Sequence, residues 1–155
     1  MTHMKKELQQ SVMAAAAESN MSSVLFRNAL GRRLNLNVTD SECLSLLGIR
    51  GISTPTELAH YTGLTTGSTT TMLDRLEKAR YITRKPNPAD RRGVMIEVSK
   101  HWGEVAGPLV TGVRQAHAQL IASYSDKELA VILDFLTRFK QNVDTQTSII
   151  EKDAK

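Results

Sequence analysis

Apolar residues recur at helical spacing in the first part of the chain. Met13, Ala17, Met21, Val24 and Leu25 share one stripe, and Ala14 to Ala17 favour the same conformation, so a helix is expected over residues 4–34. Gly31 and the stretch Asn35 to Asn37 close it. Thr39-Asp40-Ser41-Glu42 then has the spacing of a capping box: a hydroxyl takes an orphan backbone N–H while the glutamate three residues on reaches back. With Leu44, Leu46 and Leu47 behind it, a short second helix is expected, ending before Gly51. Thr54-Pro55-Thr56-Glu57 repeats the device. Proline there suits the first helical position, where a missing N–H costs nothing, and a third helix follows from Pro55 to about Tyr61.

Thr62-Gly63-Leu64-Thr65 forms a tight break, after which Met72, Leu73 and Leu76 make the inner stripe of a helix over Thr66 to about Arg80. A helix, a short glycine-containing turn and a second helix are the signature of a helix-turn-helix. Tyr81 to Lys85 has strand propensity, Pro86 to Asp90 is a turn cluster, and Val94 to Val98 is strand-like again, so a β-hairpin with a basic tip is expected. A hairpin in that place makes a winged helix. Trp102, Ala106, Leu109, Val113, Ala116, Leu120 and Tyr124 then recur at spacings of three and four, the mark of a long helix, with a kink expected at Gly107-Pro108. Ser125-Asp126-Lys127-Glu128 is a third capping box, opening a last helix whose Leu129, Ile132, Leu136, Phe139, Val143 and Ile150 fall on a heptad stripe interrupted by Gln146. Such faces either pack within one chain or seek another copy; because the winged helix already buries its own stripe, a second copy of the chain is expected to cover them.

The expected fold is therefore mainly α with a small β-hairpin wing. Residues 38–99 form the winged helix-turn-helix domain, and residues 1–37 and 100–155 a helical region that dimerises. Composition narrows the functional classes. With 155 residues, 41% hydrophobic and 23% charged, the chain has the length and balance of one globular domain. No apolar run approaches the ~18 residues of a membrane span, and no signal-peptide core follows Lys5 and Lys6, so a cytoplasmic protein without membrane association is expected. The single cysteine, Cys43, excludes internal disulfides and four-ligand cysteine zinc sites. It is expected in the first turn of its helix, as a buried structural residue. His3, His60, His101 and His117 lack metal-ligand spacing. No nucleotide-binding glycine loop, Gly-x-Ser-x-Gly elbow or His-Glu-x-x-His run occurs, so neither catalytic residues nor a metal or other cofactor are expected.

Charge is concentrated. Between Arg75 and Gly93 stand seven basic residues against two acidic ones, a surplus of five that exceeds the +4 of the whole chain. A positive field confined to one segment suits a face that binds a polyanion.

At these positions the chain resembles the MarR family of winged-helix transcriptional regulators. The similarity runs along residues 38 to 99: Val38-Thr39 through Leu44-Leu47, Leu64-Thr65-Thr66-Gly67-Ser68 at the start of the recognition helix, Leu73-Asp74-Arg75-Leu76-Glu77-Lys78 in its second half, and Pro88-Ala89-Asp90-Arg91-Arg92 at the wing tip. Two departures stand out. Arg80 occupies the place of the family's usual glycine, and Val98-Ser99 with Gly103 replaces the usual Leu-Thr and glycine with one residue more between them. The resemblance implies a homodimer on double-stranded DNA. It also implies a small effector, often aromatic and anionic, bound between the dimerisation helices and the winged domain; Phe26, His101 and Trp102 are candidate wall residues.

The expected DNA-binding residues are Thr65, Thr66, Gly67, Ser68, Thr69, Thr70 and Arg75 on the recognition helix and Arg91 and Arg92 on the wing, with Asp90 stiffening the wing through an ion pair. Short hydroxyls and methyls in that helix suit phosphates, water bridges and thymine methyls, and none forms a bidentate guanine clamp. For Arg75 an ion pair near Asp74 or with Glu77 competes equally with a DNA contact. One wing arginine is expected in a minor groove narrowed by A·T-rich sequence. The sequence thus points to a homodimeric repressor on a pseudo-palindromic operator, released by a small effector; the alternative is a winged helix used for contact with protein.

Overall fold

A computed structural model describes residues 3–153, with the side chains of Arg91, Arg92 and Asp153 outside the described residues. The elements run α1 (His3–Arg33), α2 (Val38–Arg50), β1 (Ile52–Ser53), α3 (Pro55–Thr62), α4 (Thr66–Lys78), β2 (Ile82–Asn87), β3 (Asp90–Val98), α5 (Lys100–Ala122) and α6 (Asp126–Asp153). Residues up to Leu109 form one compact unit and those from Val110 another.

In the first unit the core is built where three helices meet the sheet. Cys43, Leu44, Leu46 and Leu47 of α2, Leu58 of α3, Met72, Leu73 and Leu76 of α4, and Ile82 and Ile96 of the sheet are all buried. Each such leucine removed from water contributes about 2 kcal/mol. Their i, i+3, i+4 spacing puts one stripe of each helix inward.

Several helix ends follow the expected chemistry. Thr54 and Glu57 form the capping box of α3: Thr54 N donates to Glu57 Oε2 at 2.7 Å and Glu57 N to Thr54 Oγ1 at 3.2 Å. Ser125 and Glu128 do the same for α6, with Ser125 N donating to Glu128 Oε2 at 2.8 Å. The cap of α2 is different. Asn37, not Thr39, holds that end, its Oδ1 accepting from Asp40 N at 2.8 Å and from the Thr39 hydroxyl at 2.9 Å. Asparagine is the better cap, and two residues upstream it takes the role, leaving Thr39 inside the first turn. Cys43 consequently falls in the second turn.

The exits of α1 and α4 are left-handed turns. After α1, Asn35 has φ 53°, and Leu36 N donates to Gly31 O at 2.8 Å. After α4, Arg80 has φ 59°, while Arg80 N donates to Glu77 O and Tyr81 N to Leu76 O. Those two bonds close a Schellman motif. Arginine thus adopts a left-handed backbone that glycine takes without strain, at a steric cost. Ser99 then caps α5: its hydroxyl donates to Arg80 O at 2.5 Å and accepts from Trp102 N at 3.0 Å, which sets the start of that helix at Lys100. α5 is helical throughout, Pro108 included.

The sheet differs from a bare hairpin. Its strand order is β1-β3-β2, antiparallel, with Ile52 opposite Glu97 and Ser53 opposite Ile96 in addition to the wing. The hairpin is also longer than expected. Pairing reaches Asn87 opposite Asp90, with a register shift after Pro86, so the turn shrinks to Pro88-Ala89. Pro86 is tolerated because β2 is an edge strand. A Cβ on Gly93 would meet the Asn87 side chain at 3.2 Å, which explains a glycine where the two arms approach.

Candidate nucleic-acid interface

Helix α3 ends at Gly63, whose φ of 66° turns the chain toward α4. Thr65 caps α4, its Oγ1 accepting from Ser68 N at 3.3 Å. The helix buries Thr69, Met72, Leu73 and Leu76 and leaves Thr66, Gly67, Ser68, Thr70, Thr71 and Asp74 exposed. One expected contact residue is thereby corrected. Thr69 is 2% exposed and gives its hydroxyl proton to Thr65 O at 2.9 Å, so it belongs to the core and has no surface for a ligand. Its place beside Met72 and Leu73 on the inward stripe is the cause.

Arg75 is held by a partner on another helix. Its Nε donates to Asp40 Oδ2 at 2.9 Å and its Nη2 to Asp40 Oδ1 at 2.5 Å, a two-pronged pair between α4 and α2. Asp40's side chain is 5% exposed and Arg75's 47%. The hydrogen bond to Asp40 raises the guanidinium pKa further. Asp74 and Glu77, the carboxylates expected near Arg75, are instead paired with Arg84 of β2, at 2.5 and 3.3 Å. Lys85 pairs with Glu97 across the sheet at 2.6 Å, which holds that carboxyl below its usual range. Three of the seven basic residues that produced the local charge surplus are thus neutralised within the fold.

At the wing, Asn87 Oδ1 accepts from Ala89 N at 2.9 Å and shapes the turn. The DNA-contact assignment of Arg91 and Arg92, and the ion pair of Arg92 with Asp90, lie outside the described residues. Sequence reasoning missed Arg84 and Asp40 as determinants of this face. The signal for Arg84 was its place at the hairpin base; for Asp40 nothing local existed.

Cys43 is fully buried, and burial, followed by the nearby Asp40 charge, pushes its thiol up to about 12. Of the residues considered as effector walls, Trp102 is half-buried against the core with its ring 5.1 Å from Tyr81, and His101 stacks on Tyr81 at 6.1 Å. Phe26 lines a small hollow with Leu30, Arg33 and Leu109. None of the three borders the cleft of about 570 Å³ between α1 and α2, which is lined by residues including Arg27, Asn28, Arg32, Leu36, Ser41 and Glu42. Among the described residues no cluster of three or more histidines, cysteines and carboxylates is placed to hold a metal ion, and no helix is long and apolar enough to cross a membrane.

A helix-turn-helix whose second helix exposes its N-terminal half, followed by an antiparallel wing, defines a winged helix-turn-helix protein. The model of the MarR family matches residues 36–94. A Bacillus subtilis HTH-type transcriptional regulator, YcgE, is 34% identical over 136 residues, spanning 85% of this chain and 86% of its own length. The chain belongs to the MarR family of winged-helix transcriptional regulators. Among solved structures that share the fold are two informative ones. A Cys-to-Ser variant of Escherichia coli MarR in complex with operator DNA superposes with a TM-score of 0.50 at 21% identity, covering 90% of this chain and 99% of that one. NadR in complex with 4-hydroxyphenylacetate superposes with a TM-score of 0.56 at 19% identity, covering 90% and 93%.

Proposed function

We propose that this protein is a cytoplasmic, homodimeric repressor that binds a pseudo-palindromic operator in double-stranded DNA. The observation that carries the reading is α4: an exposed polar N-terminal half anchored on a buried stripe, beside a wing. Such a helix fits the major groove, and the backbone N–H groups at its start, near Thr66, Gly67 and Ser68, suit a phosphate. Thr65, Thr66, Ser68 and Thr70 contact the duplex, Arg91 or Arg92 enters the minor groove and Asp90 stiffens the wing. Arg75 serves the DNA by fixing the angle of α4 through Asp40, with the exposed part of its guanidinium facing the backbone.

Dimerisation is supported by the apolar surface of the flanking helices. α1 buries only Gly31 among the described residues and exposes Leu8, Met13, Met21 and Leu25, and α6 exposes Leu133, Leu136, Val143 and Ile150. A second copy covering these faces sets two recognition helices about one turn of DNA apart, ~34 Å. The effector site is the cleft between α1 and α2, where Arg27 and Arg32 suit an anionic aromatic molecule. NadR's complex with an aromatic carboxylate supports that chemical class.

Selection from a random duplex library at near-physiological salt tests the reading. Enrichment of a pseudo-palindrome with half-sites one turn apart is expected. Arg92→Ala should then weaken binding to every duplex and reduce the salt slope by about one unit. No enrichment by folded, ligand-stripped dimer would instead favour a winged helix that contacts protein.

A further inference from the structure

We propose that α4 chooses its half-site through thymine methyl groups, with Thr70 and Thr71 as the specificity-determining residues. This inference rests on the DNA-binding reading above and specifies what that face recognises.

Helix geometry selects the residues that face outward. At 100° per residue, the midline opposite the buried stripe of Thr69, Met72, Leu73 and Leu76 runs close to Gly67, Thr71, Asp74 and Lys78, with Thr70 on its flank. Thr70 and Thr71 meet base edges when the helix enters a groove. Their donors are already in use. The Thr70 hydroxyl donates to Thr66 O at 3.0 Å and the Thr71 hydroxyl to Gly67 O at 3.1 Å. A threonine whose hydroxyl is turned back onto the helix offers a neighbour its γ-methyl and a hydroxyl lone pair, and no proton. Guanine presents two acceptors to the major groove and gains nothing from such a surface. Thymine presents a methyl.

The long side chains of α4 that would read other bases are occupied, distant or lacking. α4 contains no asparagine or glutamine for adenine. Its arginine, Arg75, is bound by two prongs to Asp40, and its lysine, Lys78, stands at the far end of the helix. Asp74, which would otherwise accept from cytosine, is paired with Arg84. Between the two threonines Gly67 leaves a hollow. A Cβ built there meets nothing within 4 Å, so a base methyl can approach the helix backbone with Thr70 and Thr71 on either hand.

The test uses full-length protein and duplexes enriched from a random library, each resynthesised with deoxyuridine replacing thymidine at single half-site positions. Uracil lacks only the methyl. Wild-type protein should bind the uracil duplex about fourfold more weakly for each contacted methyl, the value of one apolar carbon returned to water. Thr70→Ser and Thr71→Ser keep the hydroxyl and its helix bond and should lose that preference. Thr70→Val and Thr71→Val keep the methyl and should retain it, and circular dichroism confirms that all four are folded. Equal binding of thymine and uracil duplexes by wild type overturns the inference while leaving the regulator intact. Enriched sites without a recurring thymine, or a preference retained in the serine variants and lost in the valine ones, overturn it as well. No enriched duplex at all overturns the DNA-binding reading itself, and this inference with it.

Discussion

The Asp40–Arg75 pair makes an asymmetric prediction. The acid is almost wholly inside, its side chain 5% exposed, whereas the guanidinium is 47% exposed. Removing one member therefore has different consequences on the two sides. Arg75→Ala leaves a buried carboxylate without its cation, and uncompensated buried charges cost about 3–5 kcal/mol. Because half of Arg75 faces water, the low end applies, about 3 kcal/mol. Asp40→Ala leaves an arginine that can turn to solvent, and the loss is that of the hydrogen-bonded link and a favourable first-turn charge, about 1 kcal/mol. For a chain of this length a kcal/mol corresponds to about 2–4 °C, so melting temperatures should fall by about 6–12 °C and about 2–4 °C respectively. Calorimetry at pH 7 reads both. The decisive variant is the double one, Asp40→Ala with Arg75→Ala, which removes the stranded charge and should be more stable than Arg75→Ala alone. A double variant less stable than Arg75→Ala, or two single variants of equal cost, would refute the buried-acid argument.

Three other outcomes are expected. Arg80→Gly relieves a left-handed arginine at φ 59° and, after the greater chain entropy of glycine is offset, should stabilise the fold by about 0.5–1 kcal/mol in urea titration; destabilisation would mean the Arg80 side chain contributes a contact worth more. The native Cys43 thiol, pushed up to about 12 from 9.0, should react with an aromatic disulfide at pH 8 about a thousandfold more slowly than in urea, and peroxide should leave DNA binding unchanged. Glu57 is held below the usual 4.5 chiefly by the Thr54 backbone N–H, and Glu128 chiefly by the Ser125 hydroxyl; their stabilisation is complete above 4.5 and lost as pH falls through the lower folded values. The urea midpoint should accordingly drop in that acid window, and less steeply in Glu57→Gln with Glu128→Gln; an identical drop would count against the caps as its source.

What is legible in the chain is local. The boxes at Thr54 and Ser125 depend on residues three apart, and the inner stripe of α4 depends on a spacing that the helix imposes wherever it forms. β1 is not legible because two residues carry no periodicity; it exists only because β3 offers Ile96 and Glu97 an unpaired side. The cap of α2 is misread because Thr39 and Glu42 have the spacing of a box, whereas Asn37, which reads as part of the close of α1, is the better cap and takes the role. Thr69 misleads for a related reason. Its chemistry matches that of its exposed neighbours, and only the phase of the helix separates it from them.

Charge shows most clearly how far a linear count extends. The surplus between Arg75 and Gly93 is real, yet a carboxylate 35 residues earlier holds Arg75, and Asp74, just outside that segment, takes part of Arg84. The folded face consequently has less free positive charge than the segment, and its ion pairs do a second job. Arg84 bridges Asp74 and Glu77, and so ties the hairpin base to α4 while masking two acids that would repel a phosphate backbone. Arg75 ties the same helix to α2. A helix braced from both sides by salt links, and bare of long side chains in its exposed N-terminal half, has given Arg75 to orientation. On the proposed reading, contact of this helix with bases is then left to methyls, backbone and shape.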